Sequence, residues 1–368
     1  METVIITDDK DVAQDVTFGP DVKIHCRRLK IAAGCRIGVQ TFENFRAVAG
    51  VRVECNTLEL GANTVIDRSV LMRGGDIILG SNCRVATGCT ITVLERLELG
   101  PASCLGQDNV LEGRRIRFGP QLWTGPQVRI GGGSCFEVHS ELVVGSHCHL
   151  GMRVFINTAR KVTIGNEVGL GTNTAIYTHG AYLSALDGYP VRFAPVVIGD
   201  RCWIPGAVIN PGVTIGAGTV IGVGSVVTQD IPAGALAAGV PCRVLKERAF
   251  PRELVAEERR SFFAGFLTIA ADILTDFTQT KAVFDPANLA IVVGPRHIRF
   301  SEKLSEIRNS GDGIVIVQTV DRKPRENEVV FCLENQSVIG RTDKLSEKVR
   351  DLLRRHGIRF FHERAAWG

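Results

Sequence analysis

An aliphatic residue followed by glycine recurs on a six-residue phase through most of the first two thirds of the sequence, and no other feature limits the fold as strongly. Leu60-Gly61 is followed at steps of six by Ile66 and Met72, Leu79-Gly80 by Val85 and Ile91, and Leu99-Gly100 by Leu105 and Leu111. The phase continues from Phe118 through Thr124 to Ile130, from Val144 through Leu150 to Ile156, and from Ile164 through Leu170 to Ile176. It resumes at Ile198 and Ile204, then at Ile209, Ile215, Ile221 and Val227. Three such units make one coil of a triangular solenoid. The aliphatic residue points inward and stacks on its counterpart in the next coil, while the glycine or small polar residue takes the corner. Each coil buries its apolar face only against its neighbours. A sandwich or barrel of short strands would not hold one phase over so many units.

Between triplets the phase slips by one or two residues, after Met72, Ile91, Leu111 and Ile156. All these slips fall at one corner of the triangle. After Ile130 the same corner lengthens through Gly131-Gly132-Gly133 to Glu141, and after Ile176 it grows into a loop running to Val197. One edge of a regular scaffold is therefore decorated, which is where binding and catalytic residues concentrate.

Composition agrees and narrows the function classes. Forty glycines and 6% aromatics suit tight corners around an aliphatic core, without the Gly-X-Y period of collagen. A formal charge of +4, with no aromatic-and-basic motif, gives no case for nucleic acid. The start of the chain lacks the basic residues and long apolar run of a secretory signal, and no apolar run reaches 18 residues, so neither export nor membrane insertion is expected. The eleven cysteines are scattered without a C-x-x-C pair. They read as small buried hydrophobes in a reducing, cytoplasmic compartment.

From His179 to about Lys246 the sequence resembles the hexapeptide-repeat acetyltransferases, closest to the maltose and galactoside O-acetyltransferase group. The residues that carry the resemblance are Tyr177-Thr178-His179, the loop with Gly188-Tyr189-Pro190-Val191, the run VVIGDRCWIPGAVINPGVTIGAGTVIGVGSVVTQDIP, and the closing AAGVPCRV. The hexad pattern alone is shared with carbonic anhydrases and scaffolds; the closing motif is far more specific. The resemblance implies a mainly β fold, a left-handed parallel β-helix, a homotrimer, and acetyl-CoA as acyl donor bound between neighbouring subunits. It also implies His179 as the catalytic base. Acyl transfer from a thioester needs a group that takes the acceptor proton, and imidazole titrates near working pH.

The remaining site residues follow from the same comparison and from the hexad phase. Asn157 follows the inward Ile156 as Tyr177 follows Ile176, so Asn157 is expected one coil from the start of the His179 loop. It is read either as a holder of acceptor hydroxyls or as a corner asparagine satisfying backbone groups. Tyr177, Asp187 and Tyr189 are further candidates to line the acceptor pocket. Arg243 and Lys246 match the family's basic residues for the CoA phosphates, and Val223 and Thr228 match contacts to pantetheine and adenine. Gln229 replaces the lysine usual after that threonine. Trp203 matches a tryptophan near the pantetheine arm and reads equally as packing. The step from Ile204 to Ile209 is one residue short. His147 and His149 fall on one side of a strand while His139 lies in the long corner, and the pair has no third partner at a matching coil position, so no metal is expected.

Residues 1–249 are thus expected as the β-helix, 250–280 as a helical connector, and 281–368 as a small α/β domain that covers the solenoid end, recognises the acceptor or docks a partner. The leading function is acetyl-CoA-dependent O-acetylation of a sugar or sugar-containing small molecule. N-acetylation of an amino sugar is the enzymatic alternative, and a non-catalytic scaffold the structural one.

Overall fold

The computed structural model describes residues 3–39, 50–307 and 313–362. The chain divides into two compact units, residues 1–251 and 252–368.

The first unit is a parallel β-solenoid with three strands per coil. In-register pairing stacks the inward residues predicted by the hexad. On the first face Leu60, Leu79, Leu99, Phe118, Val144, Ile164 and Ile198 follow one another rung by rung. The second face stacks Val85, Leu105 and, further on, Leu150, Leu170 and Ile204; the third stacks Met72, Ile91, Leu111, Ile130, Ile156 and Ile176. All are buried in one continuous core. Each fully buried Leu or Ile contributes about 1.5–3 kcal/mol of transfer free energy, so the column rather than any single coil holds the unit together.

The corners explain both the glycines and the cysteines. A Cβ on Gly61 would stand 2.4 Å from Ser81 N of the next corner, so stacked corners approach too closely for a side chain. Cys35, Cys83, Cys148 and Cys202 lie two residues before inward residues of the second face, the position that Thr64 and Thr219 take in other coils. Their thiols donate to Gly61 O (3.1 Å), Gly100 O (3.2 Å), Gly165 O (3.1 Å) and Gly216 O (3.1 Å). The threonines do the same to Gly80 O (2.8 Å) and Pro232 O (2.9 Å). Cysteine here is a threonine substitute that satisfies a corner carbonyl. Burial pushes the Cys89 thiol, at the next corner, up to about 12.

The corner between the third face and the next first face changes along the chain. From Arg52 to Phe118 the strands Arg52–Leu60, Leu71–Leu79, Thr90–Leu99 and Val110–Phe118 run through it unbroken. Beyond Ile130 it opens into the segments 132–140, 158–161 and 177–195. The short step from Ile204 to Ile209 is taken at a different corner, between the second and third faces. There Gly206 (φ +97°) turns the chain and donates to Thr174 Oγ1 at 3.1 Å.

The second unit is a seven-stranded mixed sheet with helices α1 (Ala256–Thr278) and α2 (Lys344–Arg355). Residues 250–280 do more than connect. In α1, Phe263 stacks on Phe300 of the sheet at 4.0 Å, and Phe266, Leu267 and Leu274 share the sheet's core. The helix therefore belongs to the second unit, and the division falls at 251/252. The buried Glu328 carboxylate is held by Arg322 through two bonds of 2.9 and 2.8 Å, closing the connection into its strand.

Candidate functional site

The decorated corner brings Asn157 and His179 together. The strand Phe155–Asn157 pairs with Arg129–Gly131 on one side and Ala175–Ile176 on the other, which sets Asn157 opposite Gly131. Asn157 is only 1% exposed. Its Nδ2 donates to Gly131 O (3.1 Å) and Gly133 O (3.2 Å), two backbone carbonyls that the opened corner would otherwise leave unpaired. Because those partners only accept, the orientation of the amide is fixed. Its Oδ1 then accepts from Thr178 Oγ1 (2.7 Å) and Ala159 N (3.2 Å) and lies 2.8 Å from His179 Nδ1. Both donors and the oxygen of this amide therefore have partners within the chain, and the oxygen is the atom that meets the histidine.

His179 sits on a small ribbon, the strand His179–Gly180 pairing antiparallel with Arg192–Phe193. Its ring stacks on Phe193 at 5.4 Å with 18° between the planes, and the Arg160 guanidinium lies 4.7 Å from the centre of the same phenyl ring. Thr178, fully buried, accepts from Arg160 N at 3.1 Å and so ties the ribbon's root to the coil below. Asn157 Oδ1 can only accept a hydrogen bond, which places the proton on Nδ1 and leaves the Nε2 lone pair free. Nε2 faces Gly133, where a Cβ would stand 3.4 Å away. The ring is thus oriented from one side and left uncovered by a side chain on the other.

The other expected acceptor residues are less tightly placed. Tyr177, at the edge of the third face, has its ring 5.5 Å from Phe155. Asp187 and Tyr189 lie in the exposed connection between the two ribbon strands, where Ser184 caps a 3-10 turn and Gly188 (φ +81°) ends it. The same connection exposes large apolar side chains, Tyr182 and Leu186 each at 98%.

The residues expected to hold CoA divide between two places. Trp203 is 57% exposed on the second face, in the sheet that ends with the strand Arg243–Lys246, where Lys246 lies opposite Leu236. Val223 is exposed at the corner after that face. Arg243, also exposed, donates to Cys242 O at 2.9 Å. Thr228 and Gln229 follow the inward Val227 and lie at the same corner of the triangle as His179. His149 stands beside Trp123, with ring centres 5.3 Å apart, and His147 is at a left-handed corner (φ +59°). Among the described residues no three His, Cys, Asp or Glu side chains converge as metal ligands would.

Thr178, Arg160, Phe193 and Gly133 complete the environment of His179, and none was named from sequence as a site residue, although Thr178 and Gly133 fall in segments the sequence marked. The run Gly131-Gly132-Gly133 carried a signal, since consecutive glycines beside a candidate base mark close approach. Phe193 carried none, because its role depends on the ribbon.

Residues 195–229 match the family model described as bacterial transferase hexapeptide (six repeats). Galactoside O-acetyltransferase of Escherichia coli (strain K12) is 33% identical over 158 residues, covering 40% of this chain and 71% of that protein. Among solved structures, a hexapeptide-repeat containing acetyltransferase from Vibrio cholerae is 29% identical over 39% of this chain and 73% of its own, with a TM-score of 0.28. A maltose O-acetyltransferase from Clostridium difficile is 31% identical over 39% of this chain and 68% of its own, with a TM-score of 0.24.

Proposed function

Since the chain belongs to the hexapeptide-repeat acetyltransferases, we propose that it moves an acetyl group from acetyl-CoA to a hydroxyl of a sugar or sugar-containing small molecule, with His179 as general base. The observation that carries this reading is the 2.8 Å contact between His179 Nδ1 and Asn157 Oδ1. It holds the imidazole in the tautomer whose Nε2 accepts a proton.

In this scheme Nε2 takes the acceptor hydroxyl proton as the oxygen attacks the thioester carbonyl. The imidazolium is stabilised by its remaining Nδ1–H bond to Asn157. The tetrahedral adduct collapses with cleavage of the carbon–sulfur bond. The departing thiolate then recovers the proton from Nε2–H, so the base ends as it began. The E. coli relative is a galactoside O-acetyltransferase, which is why a sugar hydroxyl is the acceptor proposed here.

The assembly belongs to the same proposal. Trp203, Val223 and Lys246 belong to the second face and its following corner, whereas His179 stands at the corner beyond the third. A donor site shared between neighbouring chains of a homotrimer would join the two sets, and a neighbour would cover Tyr182 and Leu186. Cytoplasmic residence is proposed from the thiols, which burial raises and which serve as corner donors. The test is thiol release from acetyl-CoA with a panel of sugars and amino sugars, followed by mass spectrometry of the product. An O-acetylated sugar is expected; exclusive N-acetylation of amino sugars would overturn the hydroxyl assignment.

A further inference from the structure

The segment that opens the corner after Ile130 frames a hollow of about 570 Å³, within the roughly 300–1,000 Å³ of small-molecule sites. Its lining includes Glu112, Arg129, Gly133, Ser134, Phe136 and Glu137. Gly133 joins the hollow to the chemistry, because it is also the residue that His179 Nε2 faces. The lining carries two carboxylates and one arginine: Arg129 Nη2 lies 3.9 Å from Glu112 Oε2, and Glu137 Oε2 has its partner outside the lining, Arg160 Nη1 at 3.7 Å. Phe136 presents an apolar face, 42% exposed. The segment is itself ordered by turns, with Cys135 N donating to Gly132 O (3.2 Å) and Ser140 N to Glu137 O (2.9 Å).

We propose that this hollow is the acceptor subsite, that Glu137 and Phe136 set its specificity, and that it takes a neutral polyhydroxylated ring. The inference rests on His179 being the base. Carboxylates and a serine hydroxyl accept from ring hydroxyls, guanidinium groups donate to them, and an aromatic face covers the apolar C–H face of a sugar. Each carboxylate has an arginine partner, that of Glu137 standing just outside the lining, so neither is left unpaired for an ammonium and the one lining arginine is already engaged by Glu112 rather than free for a phosphate. A ring seated there brings a hydroxyl towards Nε2 without crossing a side chain, since position 133 has none. The reading also supplies acceptor contacts from residues other than Asn157, whose amide already has partners within the chain.

The experiment uses the full chain with acetyl-CoA and four probes: methyl α-glucoside, methyl β-galactoside, glucosamine and glucose 6-phosphate. Turnover of at least one neutral glycoside above both charged sugars is expected. Glu137→Gln and Phe136→Ala should each raise the KM of that glycoside about tenfold, the scale of one lost charge-assisted bond or stacking contact, with the KM of acetyl-CoA unchanged. Saturation-transfer NMR provides a readout without turnover. The glycoside should contact His179→Ala protein, and that contact should weaken about tenfold in apparent affinity when either hollow substitution is added. Unchanged acceptor KM in both variants, or preference for glucosamine or glucose 6-phosphate, would overturn the proposal. Full turnover by His179→Ala would remove the base assignment alone, because the NMR contact does not depend on it.

Discussion

In the coils from Arg52 to Phe118 the corner between the third and first faces is crossed by unbroken strands, whereas from Gly131 to Val196 the same corner is opened by inserted segments. In the closed version the strands continue through the corner, with a register shift only where Thr90–Leu99 meets its two neighbours, and outward side chains pair across rungs, as Arg73 with Glu54 (3.3 Å) and Arg117 with Glu98 (3.1 Å). In the open version the ladder is interrupted and freed carbonyls need other partners. The Asn157 amide takes two of them, and its remaining oxygen is left to orient His179. The interior column is the same in both regions. A solenoid therefore tolerates loss of one corner of its ladder if side chains replace the lost bonds, and that exchange is what creates a place for chemistry.

Substitutions in the two regions should separate activity from stability. The largest effect is expected at the open corner. His179→Ala should lower turnover about 10²- to 10⁴-fold, the loss of a general base, with acetyl-CoA affinity and thermal midpoint unchanged. Steady-state kinetics with isothermal titration would check this, and near-normal turnover would break the contrast. In the closed coils, Leu79→Ala removes a fully stacked interior residue. It should cost about 2–5 kcal/mol in denaturant unfolding while the molecules that remain folded keep their turnover.

Asn157→Ala sharpens the comparison because it should do both. The buried Gly131 carbonyl and the part-buried bond to Gly133 O lose their donor, about 1–3 kcal/mol by the same unfolding measurement, and turnover falls because the ring is no longer held. A stability loss without a kinetic one would reduce Asn157 to corner repair. The smallest effect belongs to the exposed ion pairs of the closed corner. Arg117→Ala should change stability by less than about 1 kcal/mol, and the difference should shrink further in high salt.

The hexad phase made the solenoid legible, because an inward residue every six positions is a direct consequence of the coil. It also placed Asn157 and His179 at one corner, since counting from Ile156 and Ile176 needs no side-chain detail. It left open whether Asn157 would hold an acceptor hydroxyl or satisfy backbone groups at its corner, and did not say which carbonyls it would take. That depends on the path of 131–140, which has no periodicity. Phe193 was hidden for the same reason, as its place against His179 depends on the ribbon folding back. In the second unit, the strand Arg296–Lys303 went unseen because Ile298 and Phe300 are its only apolar residues among polar and charged ones. Its alternation is real, with Ile298 and Phe300 buried, but too short to stand out from a polar loop.

The central claim is that Asn157 sets the tautomer of His179, and nitrogen-15 NMR of the imidazole reads this directly. At a pH where the ring is neutral, the long-range proton–nitrogen correlations should show Nδ1 protonated and Nε2 bare, and Asn157→Ala should shift the balance towards Nε2–H. A neutral ring that carries its proton on Nε2 in the unmodified protein would contradict the account, because Nε2 could then neither accept the acceptor's proton nor be the group that Asn157 prepares.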